Sequence, residues 1–129
     1  MKLSNCKKAA RMAFAGVILM TLVSACEYEY AEFPEPVPSE VEVKFSTEII
    51  PIFVSSCNSS SCHATGAVPP DLTPANAYNS LMELNQVDTA NPANSILYKK
   101  MATGSMAQFS TAAQAQAVFD WISQGAKNN

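Results

Sequence analysis

Two thiols and the chain's only imidazole fall within one short segment, Cys57-Asn58-Ser59-Ser60-Ser61-Cys62-His63. Any fold available to this chain has to present that small, polar stretch with its three ligand-type side chains in reach of a common object. Three chemistries use such a set. Two cysteines with a histidine directly after the second are what covalent attachment of haem c requires: the thiols add to the porphyrin vinyl groups and the imidazole ligates iron. The usual attachment motif has two residues between its cysteines, whereas this segment has four. A disulfide closing a short loop, with His63 merely adjacent, is the second option. Zinc is the third, but a closed structural site takes four ligands, so it would have to recruit a carboxylate such as Asp71.

The N-terminus decides the compartment. Lys2, Lys7, Lys8 and Arg11 form a positive region, and Met12 to Val23 is an almost unbroken apolar run. Such a run is too short to span a bilayer and suits the core of a signal peptide. It ends Val23-Ser24-Ala25-Cys26, which resembles the lipobox of bacterial lipoproteins. That resemblance implies cleavage after residue 25 and a lipid on Cys26; an ordinary secretory cut near Ala25 is the alternative. Cys6 then leaves with the signal, Cys26 carries lipid, and Cys57 and Cys62 remain as a pair in an oxidising compartment. The remainder, 26–129, holds four lysines against all 11 acids, a formal charge of −7. Nucleic acid and anionic lipid head groups are poor partners for it, and a basic partner is favoured.

Residues 26–44 carry six of the acids, with Pro34, Pro36 and Pro38 among them. Proline and charge repulsion both extend a chain, so this segment reads as a tether with a reach of about 3 Å per residue. A short strand through Val41, Val43 and Phe45 is the competing reading. The domain proper is expected over 45–129, and its periodicity is helical throughout. Ser46 is expected to cap a first helix running through Ile49, Ile50, Ile52 and Phe53, with Pro51 as a source of a local kink or a late start. Thr73-Pro74 signals a second start, with Ala77, Tyr78, Leu81 and Met82 at helical spacing. Asn91-Pro92 or Asn94 opens a third helix that ends near Gly104. Thr111 and Gln114 predict a capping box for the last helix, whose apolar face is Val118, Trp121 and Ile122.

Taken in order, these pieces resemble a small class I cytochrome c-like domain of the kind found in bacterial lipoproteins. An amphipathic helix ends Ile50-Pro51-Ile52-Phe53, followed by the Cys57–His63 segment, Pro70-Asp71-Leu72, Asn91-Pro92, a methionine loop at Gly104-Ser105-Met106, and a last helix with Trp121-Ile122. The resemblance implies an all-α fold enclosing one covalent haem c. It implies thioether attachment at Cys57 and Cys62, for which four-residue spacers are known, and axial ligation by His63 and Met106. Met101 competes with Met106 but falls on a helix face as a core residue. The resemblance also implies that a carbonyl at Pro70, or alternatively Pro69, fixes the imidazole, and that Trp121 lies beside the porphyrin. Core packing is the overlapping role for Trp121. The methionine is usually flanked by proline in the family; here Ala107 follows it.

The expected function is that of a lipid-anchored electron carrier of the bacterial cell envelope, periplasmic or surface-displayed, serving redox protein partners and not itself an enzyme. A haem domain with an open sixth site that binds ligands is the first alternative. No arginine follows Arg11 and no second histidine exists to support peroxidase-like acid–base chemistry there. A haem-free, disulfide-bonded surface lipoprotein is the other alternative.

Overall fold

The computed structural model describes residues 36–129, and over that span the protein is all-helical, with no strand. Four α-helices follow in chain order: α1 (Ile50–Ser56), α2 (Ala77–Glu83), α3 (Ile96–Ala102) and α4 (Ala112–Ser123). None of the described helices is long and apolar enough to cross a membrane. The lipobox and Cys26 lie outside the described residues.

α4 begins as its sequence predicts. The Gln114 N–H donates to Thr111 Oγ1 at 3.2 Å, and the Thr111 N–H donates to Gln114 Oε1 at 2.8 Å. Two N–H groups that the first turn would leave unpaired are thereby satisfied reciprocally. The helix then buries Ala115, Val118, Trp121 and Ile122 against the rest of the core.

The approach to α1 differs from the sequence expectation. Ser46 is not a cap; it lies inside a wide π-helical turn, Phe45–Ile49, and its N–H donates to Asn129 O at 2.9 Å. Glu48 receives the Lys44 N–H instead, at 2.6 Å. The Ile50 N–H closes the turn on Phe45 O, five residues back. Pro51 stands directly after and has no N–H to continue a regular ladder from the preceding turn, so the irregularity falls where the backbone donor is missing.

α2 starts later than Thr73-Pro74 suggests. Both the N–H and the hydroxyl of Thr73 donate to Asp71 Oδ1, at 2.9 and 2.6 Å. The Thr73 carbonyl meanwhile accepts from Asn76 and Ala77. The start signal therefore makes one hydrogen-bonded turn, and the regular helix follows at Ala77. Before α3, Pro92–Asn94 is a 3-10 turn, and the buried Ser95 hydroxyl ties back to both the N–H and the carbonyl of Asp88.

An aromatic knot joins the ends of the domain. The Phe45 ring lies 4.9 Å from Trp121, 5.4 Å from Tyr78 and 6.4 Å from Phe53. Trp121 is buried and its indole N–H donates to Lys127 O at 2.9 Å, so the ring enters the core with its one polar group satisfied.

Residues 37–44 do more than extend. Gln116 and Asp120 of α4 and Gln124 just after its end, spaced one turn apart, hold this segment's backbone. Gln116 Nε2 donates to Val37 O, the Ser39 N–H donates to Asp120 Oδ1, and Gln124 both accepts from the Val43 N–H and donates to Ser39 O and Val41 O. Val43 and Phe45 turn into the core while Val41 stays exposed. The expectation of a free tether as far as residue 44 is corrected here: its last eight residues form a strap docked on α4, because that helix supplies the polar partners a lone extended chain lacks.

Candidate functional site

Opposed to this packing, the loops between α1 and α2 and between α3 and α4 surround a cavity of about 570 Å³. That volume is within the roughly 300–1,000 Å³ of small-molecule and cofactor pockets. Cys57, Cys62, His63, Pro70 and Met106 all line it, so five of the six cofactor-contacting residues expected from the sequence meet at one place. Phe53, Leu72, Leu97 and Met101 form its apolar floor. Trp121 is not brought there; it lies in the aromatic knot with Phe45, and no residue of α4 lines the cavity.

The cysteine segment is folded by its own backbone. As α1 ends, the Cys57 and Asn58 N–H groups both donate to Phe53 O. The His63 N–H donates to Cys57 O at 3.0 Å and the Cys62 N–H to Ser59 O at 2.8 Å. The extra spacer residues are taken up in that turn, where Ser59 and Ser60 are exposed and Cys57 and Cys62 half-buried. The two thiols are free. Burial pushes the Cys57 thiol up from its ordinary range, and the nearby Cys62 adds to the shift by disfavouring a second negative charge.

The imidazole is oriented from behind. Its Nδ1 lies 3.0 Å from Pro70 O and 2.9 Å from Val68 O. Both partners are carbonyls that can only accept, so Nδ1 carries the proton and donates to both. Nε2 is thereby left as the lone-pair nitrogen, the form in which imidazole ligates a metal. The Pro70 contact is the one the sequence pointed to. The Val68 carbonyl was not foreseen, and nothing in a valine's side chain could announce a backbone role. The loop bearing both acceptors closes on itself through Val68 N–H to Cys62 O (2.9 Å) and Leu72 N–H to His63 O (2.8 Å).

Asp71 does not join the thiols. Its carboxylate accepts from Thr73 and, at 2.9 Å, from Asn76 Nδ2. The Thr73 hydroxyl and then the Thr73 N–H hold its ionised form well below the usual carboxylate range. Among the described residues no three of His, Cys, Asp and Glu gather as a metal site would need.

Met106 reaches the cavity from the turn after α3. Its N–H donates to Lys100 O at 3.0 Å, and its carbonyl receives the Phe109 N–H at 3.0 Å and the Ser110 hydroxyl at 3.4 Å. These hydrogen bonds stiffen the turn that carries Met106. Met101 also touches the cavity but is buried in the hydrophobic core, as its helix position predicts. Among the described residues Lys100 is the one lysine in the lining, with its Nζ 3.5 Å from Ser105 Oγ. Exposed Val68 and Phe109 stand at the lining too, apolar surface that no periodicity singles out.

Comparison with known proteins finds no matching family model, no similar curated protein and no similar solved structure.

Proposed function

We propose that this chain is a monohaem c-type cytochrome, a class I cytochrome c-like domain that carries single electrons between redox partners outside the cytoplasm, anchored to a membrane by lipid on Cys26. The observation that supports this reading best is the donor set of the cavity. Two free thiols, an imidazole with its Nδ1 already committed, and a thioether share one apolar chamber of cofactor size. On this reading Cys57 and Cys62 would hold the haem covalently, and His63 and Met106 would be its axial ligands. The haem would supply a one-electron couple, whose potential a methionine ligand raises.

The protein's own part is positional. The Pro70 and Val68 carbonyls fix the imidazole ring and its tautomer, which makes Nε2 the better donor. Phe53, Leu72 and Leu97 exclude water and lower the local dielectric around the chamber. Among the described residues no Asp or Glu lines the chamber, and the chain has no second histidine.

The test is the mass and visible spectrum of the full chain matured in a host that attaches haem c. One covalent haem with a low-spin spectrum, altered in Met106→Ala but not in Met101→Ala, is the expected result. A colourless protein lighter than its dithiol form by two hydrogens would instead indicate a Cys57–Cys62 disulfide and end this reading.

A further inference from the structure

The peptide unit between Pro70 and Asp71 is held at both ends. Its carbonyl oxygen accepts from His63 Nδ1 at 3.0 Å, and its N–H donates to Ser80 Oγ at 2.9 Å. Ser80 belongs to α2, remote in sequence from the cysteine segment, and is half-buried. A peptide unit is planar and turns as one body, so anchoring its N–H fixes the direction of its C=O. Donating a hydrogen bond from the N–H also polarises the amide and strengthens the carbonyl as an acceptor. Both effects reach His63 through one bond. The residues that follow are pinned as well, because the Asp71 carboxylate gathers Thr73 and Asn76 and the Leu72 N–H returns to His63 O. Ser80 is the point at which this whole loop is referred to a helix.

We infer that Ser80 is a positioning residue for His63: its hydroxyl, delivered by α2, sets the Pro70–Asp71 amide whose carbonyl orients the imidazole and raises its donor strength at Nε2. This rests on the proposed haem reading and goes beyond it by giving a helix serine a share in tuning the iron. The Val68 carbonyl, at 2.9 Å from the same nitrogen, remains when Ser80 is altered. Loss of the hydroxyl therefore weakens the constraint on the ring without releasing it, and the histidine stays a ligand. A less electron-rich imidazole stabilises ferric iron less, so the midpoint potential rises.

The experiment compares wild type, Ser80→Ala and Ser80→Thr as full chains carrying haem. Ser80→Ala is expected to keep one covalent haem and a low-spin spectrum, to shift the midpoint potential upward, and to exchange the Asp71 amide proton faster. Ser80→Thr, which keeps the hydroxyl, restores both. Should the alanine variant not load haem, Ser80→Cys, similar in size with a weaker acceptor, is expected to shift the potential in the same direction. A serine that served stability alone would lower the melting temperature and leave the potential where it was. An unchanged potential, or unchanged Asp71 exchange, in a haem-loaded variant lacking the hydroxyl overturns the inference. Failure of the wild-type chain to take up haem overturns the functional reading itself, and is seen before any variant is compared.

Discussion

Gly104 offers the sharpest test of how the methionine loop is held. A Cβ built there would lie 2.9 Å from Lys100 Cα and 2.9 Å from Lys99 O, both backbone atoms of α3 that cannot swing aside. The same close approach carries two hydrogen bonds, Gly104 N–H to Lys99 O at 2.8 Å and Met106 N–H to Lys100 O at 3.0 Å. Gly104→Ala must push the loop off the helix end. Overpacking of this kind costs about 1–3 kcal/mol, and a misaligned hydrogen bond adds about 0.5–1.5 kcal/mol. The alanine recovers about 0.4–1 kcal/mol by restricting the unfolded chain. The net destabilisation is then about 0.5–4 kcal/mol, or a melting temperature lowered by roughly 2–30 °C in a domain of this size. Thermal and urea unfolding followed by circular dichroism measure it, with the haem-loaded form examined for loss of the methionine-ligated spectrum. A variant within about 0.5 kcal/mol of wild type would mean that the loop does not need this approach, and the argument for how Met106 is placed would fail.

The remaining expectations concern the cap, the loop and the thiols. Thr111→Ala removes one half of the capping box and is expected to cost about 1 kcal/mol, lowering the melting temperature by about 4–8 °C; no change would show that the box contributes nothing. Asp71 titrates below its unfolded value of about 3.9, so the stability it contributes is fully present above that value and disappears as pH falls through the folded one. The gap in stability between wild type and Asp71→Asn is therefore widest near neutrality and closes in acid; a gap independent of pH would refute the assignment. In chain made without haem, burial and then the neighbouring Cys62 hold the Cys57 thiol above its ordinary range, so its alkylation accelerates only above that range. Cys62→Ser moves that midpoint down part of the way, and a midpoint indifferent to Cys62 would contradict the shared environment.

The sequence carried most of the site and rather less of the scaffold. Cys57, Cys62 and His63 were legible because each is a ligand-type residue, whereas Pro70 and Met106 were singled out only by a resemblance; all five line one cavity. The capping box at Thr111 was legible because both of its members are local. Ser46 misled because its cap role depends on a regular helix starting there, and Pro51 with the Asn129 contact favours a wide turn instead. Trp121 takes the core-packing role that its sequence position also allowed, because only packing decides that its indole meets Phe45 rather than the cavity. Val68 and Ser80 act through or upon backbone groups, which composition and spacing do not reveal.

The docked strap has a mechanical consequence. Tension applied to the chain ahead of Val37 enters the domain along α4, where Gln116, Asp120 and Gln124 grip successive backbone groups. Those bonds share the load before it reaches Val43 and Phe45 in the core. None of the three gripping side chains lines the cavity. A pull on the chain ahead of Val37 is therefore borne first by a part of the molecule separate from the loops holding His63 and Met106.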